Sequence, residues 1–183
     1  MKKTPHIVLG VTGSIAAYKA AELVRLMKGR EWDVSVIMTR SALQFVGEIT
    51  FRTLSRNPVA TDMFEKTDIW DVAHITLADR ADALVIAPCT ANVIAKLTHG
   101  LADDTLSCTA LATRAPIVIA PAMNGKMWEH PATQSNVKTL EQRGVRFVDV
   151  ESGDLACGYE GRGRLASLDV IMAAIERALA EPR

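Results

Sequence analysis

Residues 116–128 read Pro-Ile-Val-Ile-Ala-Pro-Ala-Met-Asn-Gly-Lys-Met-Trp. Ile117 to Ala120 is a short apolar run rich in β-branched side chains, the pattern of a strand covered on both faces. Pro121 has no N–H to give to a ladder and is expected to stop the strand. Asn124 follows at once, flanked by Met123 and Met127. A strand buried on both faces belongs to a parallel sheet between helices, and such sheets bind ligands outside the carboxyl ends of their strands. Asn124 therefore stands where a ligand would be held. The competing reading is an amide that caps the next helix, with methionines packed beneath it.

The same grammar recurs along the chain. Ala83–Ala87 is a second apolar run and leads into Pro88-Cys89-Thr90-Ala91-Asn92. His6–Val11 is a third, followed by Thr12-Gly13-Ser14-Ile15-Ala16-Ala17-Tyr18-Lys19. Val34–Met38 and Arg146–Val150 complete the predicted strands. Helices are expected at Ile15–Lys28, Ser41–Val46, Ile49–Leu54, Thr90–Leu97, Thr105–Thr113, Pro131–Arg143 and Leu168–Leu179. The first carries Ala17, Ala20, Ala21, Val24 and Met27 at helical spacing, a face to lay on a sheet. Strands alternating with helices predict an α/β fold: a single doubly wound, mostly parallel sheet, Rossmann-like or flavodoxin-like, in one domain over residues 1–183. Val59–Asp79 has no clear pattern. Glu151–Leu165 is glycine-rich and reads as a loop or flap.

Composition narrows the partners. Of 183 residues 49% are hydrophobic and 23% charged, with 21 cations against 21 anions. A net charge of zero does not favour nucleic acid or an anionic membrane surface. No apolar run reaches the length of a membrane span. Met1-Lys2-Lys3-Thr4-Pro5 lacks the apolar stretch of a signal peptide, so a cytoplasmic location is expected. Three cysteines, at 89, 108 and 157, show neither a CxxC spacing nor an even count, which argues against a disulfide framework and a thiolate zinc site. No cluster has metal-ligand spacing, and no metal is expected.

Several residues then stand out. The turn Gly10-Val11-Thr12-Gly13-Ser14-Ile15-Ala16 is not a GxGxxG fingerprint. Gly13 nevertheless permits close backbone approach, and Ser14 suits either a helix cap or an anion. Thr39 and Ser41, after the second strand, have the same two readings. Thr90, Ala91 and Asn92 are small or amide groups suited to a flat ring that takes a few directed hydrogen bonds. Phe45 is read as a core residue. His74 lies in Asp71-Val72-Ala73-His74-Ile75-Thr76-Leu77; a lone histidine is usually structural, yet its ordinary pKa near ~6.5 suits proton transfer. His6, His99 and His130 are read as incidental. Cys157 lies among Gly153, Gly158, Gly161 and Gly163 and is expected to be exposed, unlike Cys89 and Cys108 in their apolar surroundings.

Taken together, the Gly-Ser-Ile turn, the His-Ile-x-Leu setting, the Thr-Ala-Asn segment, Pro-Ala-Met-Asn-x-x-Met-Trp and Ala-Cys-Gly-x-x-Gly-x-Gly-Arg resemble the homo-oligomeric flavin-containing cysteine decarboxylase family over roughly residues 5 to 180. The resemblance implies an FMN site at Gly13, Ser14, Ile15, Thr39, Ser41, Thr90, Ala91, Asn92 and Ala122, with Phe45 against the ring edge as a further possibility. It implies His74, Asn124 and Cys157 as catalytic groups, Asn124 and Met123 as substrate contacts, and 151–165 as a substrate flap. Within the family the flap cysteine points to the branch that decarboxylates 4′-phosphopantothenoylcysteine to 4′-phosphopantetheine for coenzyme A. There the thiol is oxidised to a thioaldehyde, CO₂ leaves, and the enethiol is reduced again. Lys19, Lys96 and Arg40 are the cations offered to a substrate phosphate. A homotrimer or homododecamer is implied, with the flavin at a subunit boundary. Peptidyl-cysteine decarboxylase, flavin prenyltransferase and non-catalytic regulatory flavoprotein are the alternatives.

Overall fold

The chain alternates between strand and helix from its first strand onward. The computed structural model describes residues 4–64, 73–154, 158 and 160–181. The elements run β1 (His6–Val11), α1 (Ala17–Gly29), β2 (Asp33–Met38), a 3-10 turn (Ala42–Gln44), α2 (Glu48–Ser55), β3 (Val59–Ala60) and α3 (Ala73–Arg80). They continue with β4 (Ala83–Cys89), α4 (Ala91–His99), α5 (Thr105–Ala112), β5 (Ile117–Pro121), α6 (Gly125–Trp128), α7 (Pro131–Gln142) and β6 (Arg146–Phe147). A hairpin, β7 (Glu151–Asp154) and β8 (Glu160–Arg164), precedes α8 (Leu168–Ala180). Six strands form one sheet in the order β3-β2-β1-β4-β5-β6, every neighbouring pair parallel. The chain winds outward from β1 in one direction and from β4 in the other, so β1 and β4 flank the switch point where their following loops diverge.

Burial explains the apolar runs. All of β1 and β4 is buried, and the side chains alternate between two core layers. Ile7, Leu9 and Val11 pack with α1, α2 and α8, whereas Val8, Leu84, Ile86 and Ile119 pack with α4, α5 and α7. Among the described residues no helix is long and apolar enough to cross a membrane.

The structure corrects the sequence reading in several places. Strand β4 passes through Pro88 to Cys89; a register shift between Ile86 and Cys89 accommodates a residue that cannot donate to the ladder. Residues 41–46 form a short 3-10 turn rather than a helix. Pairing in β6 stops at Phe147, although Val148 and Val150 remain buried. An unrecognised helix, α3, lies in the unpatterned segment, and the flap region is a paired antiparallel hairpin. Phe45, read as core, is 47% exposed.

His6 is not incidental to the fold. It is buried at the amino end of β1, and its Nδ1 donates to Asp33 Oδ2 at 2.8 Å. Asn57 Nδ2 donates to Asp33 Oδ1, also at 2.8 Å. Burial pushes the Asp33 carboxyl up, but the bonds from Asn57 and His6 outweigh it and hold the group below its ordinary value. His130 likewise has a structural task, accepting from Ala132 N at 3.1 Å as the cap of α7.

Candidate functional site

A cleft of about 1240 Å³ opens at the carboxyl ends of the strands, over the switch point. That exceeds the ~300–1,000 Å³ of a pocket for one small ligand, leaving room for two. Its floor and one wall come from the turns after β1, β2 and β4 and from the segment after β5. Gly13, Ser14, Ile15, Thr39, Ser41, Thr90, Ala91, Asn92, Ala122, Met123 and Asn124 all line it, so the structure gathers eleven expected site residues from four separate loops.

Thr12 ties two of those loops together. It is fully buried; its Oγ1 donates to Pro88 O at 2.7 Å and accepts from Thr90 N at 3.1 Å. The start of α4, with Thr90–Asn92, is thereby fixed against the end of β1. Gly13 sits at the next contact. A β-carbon there would lie 2.4 Å from Ser41 Cβ, so the turns after β1 and β2 meet at a distance only glycine permits. Ser14 Oγ accepts from Ala16 N at 3.3 Å, and Thr39 Oγ1 accepts from Ala42 N at 3.3 Å, so both begin as local caps. Ser41 makes no side-chain cap bond. Thr90 caps α4, accepting from Val93 N at 3.4 Å.

Asn124 caps the next helix and also borders the cleft. Its Oδ1 accepts from Lys126 N at 2.9 Å and caps α6, while the residue lines the cleft. With the oxygen held by the helix, the donor end of the amide is the nitrogen. The segment is held from above by the hairpin: Met123 N donates to Gly163 O at 2.9 Å. Gly163 has φ +149°, and a β-carbon on it would fall 2.4 Å from Met123 O and 3.3 Å from Asn124 C. Two backbones touch here with nothing between them. Gly163→Ala is accordingly expected to cost about 2 kcal/mol through forbidden φ and collision. The melting temperature should fall by roughly 4–8 °C, and Met123 N–H should exchange faster; unchanged exchange would show that the hairpin is not fastened at this point.

Lys96 lines the cleft but is committed. It reaches Asp103 at 2.6 Å and Asp104 at 3.0 Å. Asp104 also closes a capping box with Ser107 at the start of α5. Burial works against charge on both Lys96 and Asp104, but the bonds to Asp103 and Asp104 raise the lysine, and those from Ser107 and Lys96 lower the Asp104 carboxyl, from their ordinary values. Lys19, Arg40 and Arg164 are the other cations on the cleft wall.

His74 is not among the residues lining the cleft. It is half-buried in the first turn of α3. That helix runs into β4 antiparallel to the strands, so its amino end lies toward the same edge of the sheet as the cleft. Cys157 lies outside the described residues. Cys89 is fully buried, which pushes its thiol far above the ordinary range; Cys108 is raised by burial and then by Asp104 and Asp103. Neither lines the cleft. Among the described residues no cluster could hold a metal ion. Missed from sequence were Thr12, Tyr18, Asp103, Asp104 and Arg164; the tie made by Thr12 spans 76 and 78 positions, and no local pattern announces it.

A doubly wound sheet with a cleft at its switch point, apolar in the main but carrying hydroxyls, amides and cations on its wall, has the architecture of nucleotide- and flavin-binding α/β proteins. The chain belongs to the flavoprotein family, whose profile matches residues 1–180. It is 44% identical to a probable phosphopantothenoylcysteine decarboxylase of Streptococcus mutans, over 96% of this chain and 99% of that one. Among solved structures it is similar to a mutant PPC decarboxylase complexed with pantothenoylaminoethenethiol (TM-score 0.85, 30% identity, 96% of this chain and 98% of that). It is also similar to the FMN-dependent cysteine decarboxylase SpaF (TM-score 0.81, 33% identity, 96% and 95%). The chain spans about half the length of other curated relatives that it matches, 45% of one and 42% of another.

Proposed function

We propose that this chain is an FMN-dependent decarboxylase that converts 4′-phosphopantothenoylcysteine to 4′-phosphopantetheine. The observation that carries the reading is one cleft, large enough for two ligands, that unites the Gly13–Ile15 turn, Thr39, Ser41 and Thr90–Asn92 with Asn124. Those residues fit the cofactor. The β1 and β2 turns offer hydroxyls and backbone N–H groups for a phosphate, and Thr90, Asn92 and Ala122 offer small and directed groups for a flat ring. Bound FMN would supply a two-electron sink that accepts a hydride from the cysteinyl carbon bearing sulfur and later returns it.

The chain's own groups supply the rest. Asn124 gives its amide N–H to the substrate carboxylate. Once the thiol is a thioaldehyde, the carboxylate leaves as CO₂ and its bonding pair becomes the carbon–carbon double bond of an enethiolate. His74 handles the thiol proton, and Cys157 provides the proton that accompanies the returning hydride. The free thiols of Cys89 and Cys108 suit a reducing cytoplasm.

His74 would act in a neighbour's cleft, in a homotrimer or homododecamer. Two kinds of surface support this: Ile75 and Leu111 are 42% and 64% exposed on the packed helices α3 and α5, and Ile15 and Tyr18, which line the cleft, are 58% and 62% exposed. Cyclic assembly pairs two different surfaces of one chain. His74→Asn is expected to keep FMN and lose about 10²–10⁴-fold in rate. Oligomers co-assembled from His74→Asn and Asn124→Asp chains should regain a measurable share of activity, because some sites then hold both native groups; no recovery would place both residues in one chain's site. The founding test is the purified protein with 4′-phosphopantothenoylcysteine. A yellow protein releasing CO₂ and 4′-phosphopantetheine is the expected result, and a yellow protein without product would overturn the substrate assignment.

A further inference from the structure

Among the described residues, Arg164 is the one cation of the cleft wall that stands on the flap hairpin, and its surroundings leave its charge unspent. By register it faces Glu151 across the hairpin. Glu151, however, accepts from Ser167 N through Oε1 at 2.6 Å. The neighbouring Arg162 has taken Asp149 at 3.3 Å. Among the described residues no carboxylate pairs with Arg164. Its placement is nonetheless defined. The side chain lies across Gly153, where a β-carbon would come within 3.1 Å of Nη1 and 3.8 Å of Cδ. The preceding residue, Gly163, is the point at which the hairpin is fastened to Met123 and Asn124. Arg164 thus lines the cleft from a backbone anchored beside Asn124, with its exposed side chain lying along the hairpin.

The other cations are accounted for. Lys96 is held between Asp103 and Asp104. Lys19 and Arg40 belong to α1 and to the turn after β2, on the side of the cleft where Ser14, Thr39 and Ser41 suit the cofactor phosphate. Arg164 stands on a different element, the hairpin that would cover a substrate. We propose that Arg164 holds the terminal phosphate monoester of the substrate, and so sets the preference for a phosphorylated small molecule over an uncharged or peptidic cysteine derivative. The inference rests on the decarboxylase reading above. Guanidinium geometry matches phosphate with two parallel N–H donors, which an ammonium cannot reproduce.

The test compares each ligand with and without its phosphate. Arg164→Ala and Arg164→Lys are assayed with 4′-phosphopantothenoylcysteine and pantothenoylcysteine, and the flavin-loaded proteins are titrated with 4′-phosphopantetheine and pantetheine by flavin absorbance. For Arg164→Ala we expect about a 10- to 100-fold loss of kcat/KM and of affinity toward the phosphorylated ligands. The loss should lie mainly in KM, with less than about a twofold change toward the others; Arg164→Lys should fall between. Equal losses on both members of a pair would make Arg164 merely structural and overturn the proposal, as would a wild type that binds pantetheine as well as its phosphate ester. A wild type that prefers the phosphorylated ligand in titration but turns over neither substrate would overturn the decarboxylase reading, and loss of that preference in Arg164→Ala would still support the phosphate role of Arg164.

Discussion

Asn124→Asp should abolish turnover while leaving the fold and the flavin in place. The substitution separates the helix cap from the substrate contact proposed for the residue. As a cap, Asn124 accepts from Lys126 N through Oδ1, and aspartate caps a helix equally well. Its negative charge next to the amino end of α6 is itself favourable. As a substrate contact, the change removes the donor and sets a carboxylate against a carboxylate. Losing a hydrogen bond to a charged group costs about 1.5–3 kcal/mol, and like-charge repulsion in a cleft partly shielded from water adds a comparable amount. A fall in kcat/KM of about 10²- to 10⁴-fold follows. The melting temperature should stay within a few degrees and the flavin spectrum should be native. A variant with a rate within a factor of two of wild type would remove Asn124 from the substrate site; a variant that unfolds would mean that the cap depends on the amide.

Thr12→Val is the second large effect, and it acts on the frame of the site. Valine has nearly the shape of threonine, so packing is preserved and the hydroxyl alone is lost. Pro88 O and Thr90 N then lose their buried partner. An unsatisfied buried group costs about 1–3 kcal/mol, so the pair should cost roughly 2–4 kcal/mol of stability. The loop bearing Thr90, Ala91 and Asn92 would no longer be held to the end of β1, and flavin affinity should drop by about tenfold or more. Thr12→Ser keeps both bonds and should recover the affinity. Differential scanning calorimetry and a flavin fluorescence titration on the two variants check this. Equal affinity in Val and Ser variants would show that the bridge does not position the flavin loop.

Much of this was readable along the chain because the signals are local. Continuous apolar runs at 6–11, 83–87 and 117–120 mark strands buried on both faces, and the small and polar residues after them sit at strand ends by necessity. The cofactor candidates on four loops therefore came together as expected. Less legible was α3, whose eight residues bury only Ala78 and carry little pattern. The paired strands β7 and β8 read as a loop in sequence because their glycines hide the alternation of a strand. Pro88 misled in the opposite sense: a proline that ends most strands is tolerated where the register shifts.

By itself, the sequence determined the α/β class, the three apolar strands at the centre of the sheet and the polar turns that follow them, because each depends on residues adjacent in the chain. The tertiary structure alone decided the strand order β3-β2-β1-β4-β5-β6 and hence the switch point. It decided that Lys96 is spent on Asp103 and Asp104 while Arg164 lines the cleft. It also decided that His74 lies outside the cleft lining, while Gly163 meets Met123 backbone to backbone. These contacts join residues tens of positions apart, and which of several polar groups finds which partner is fixed by packing, not by local preference.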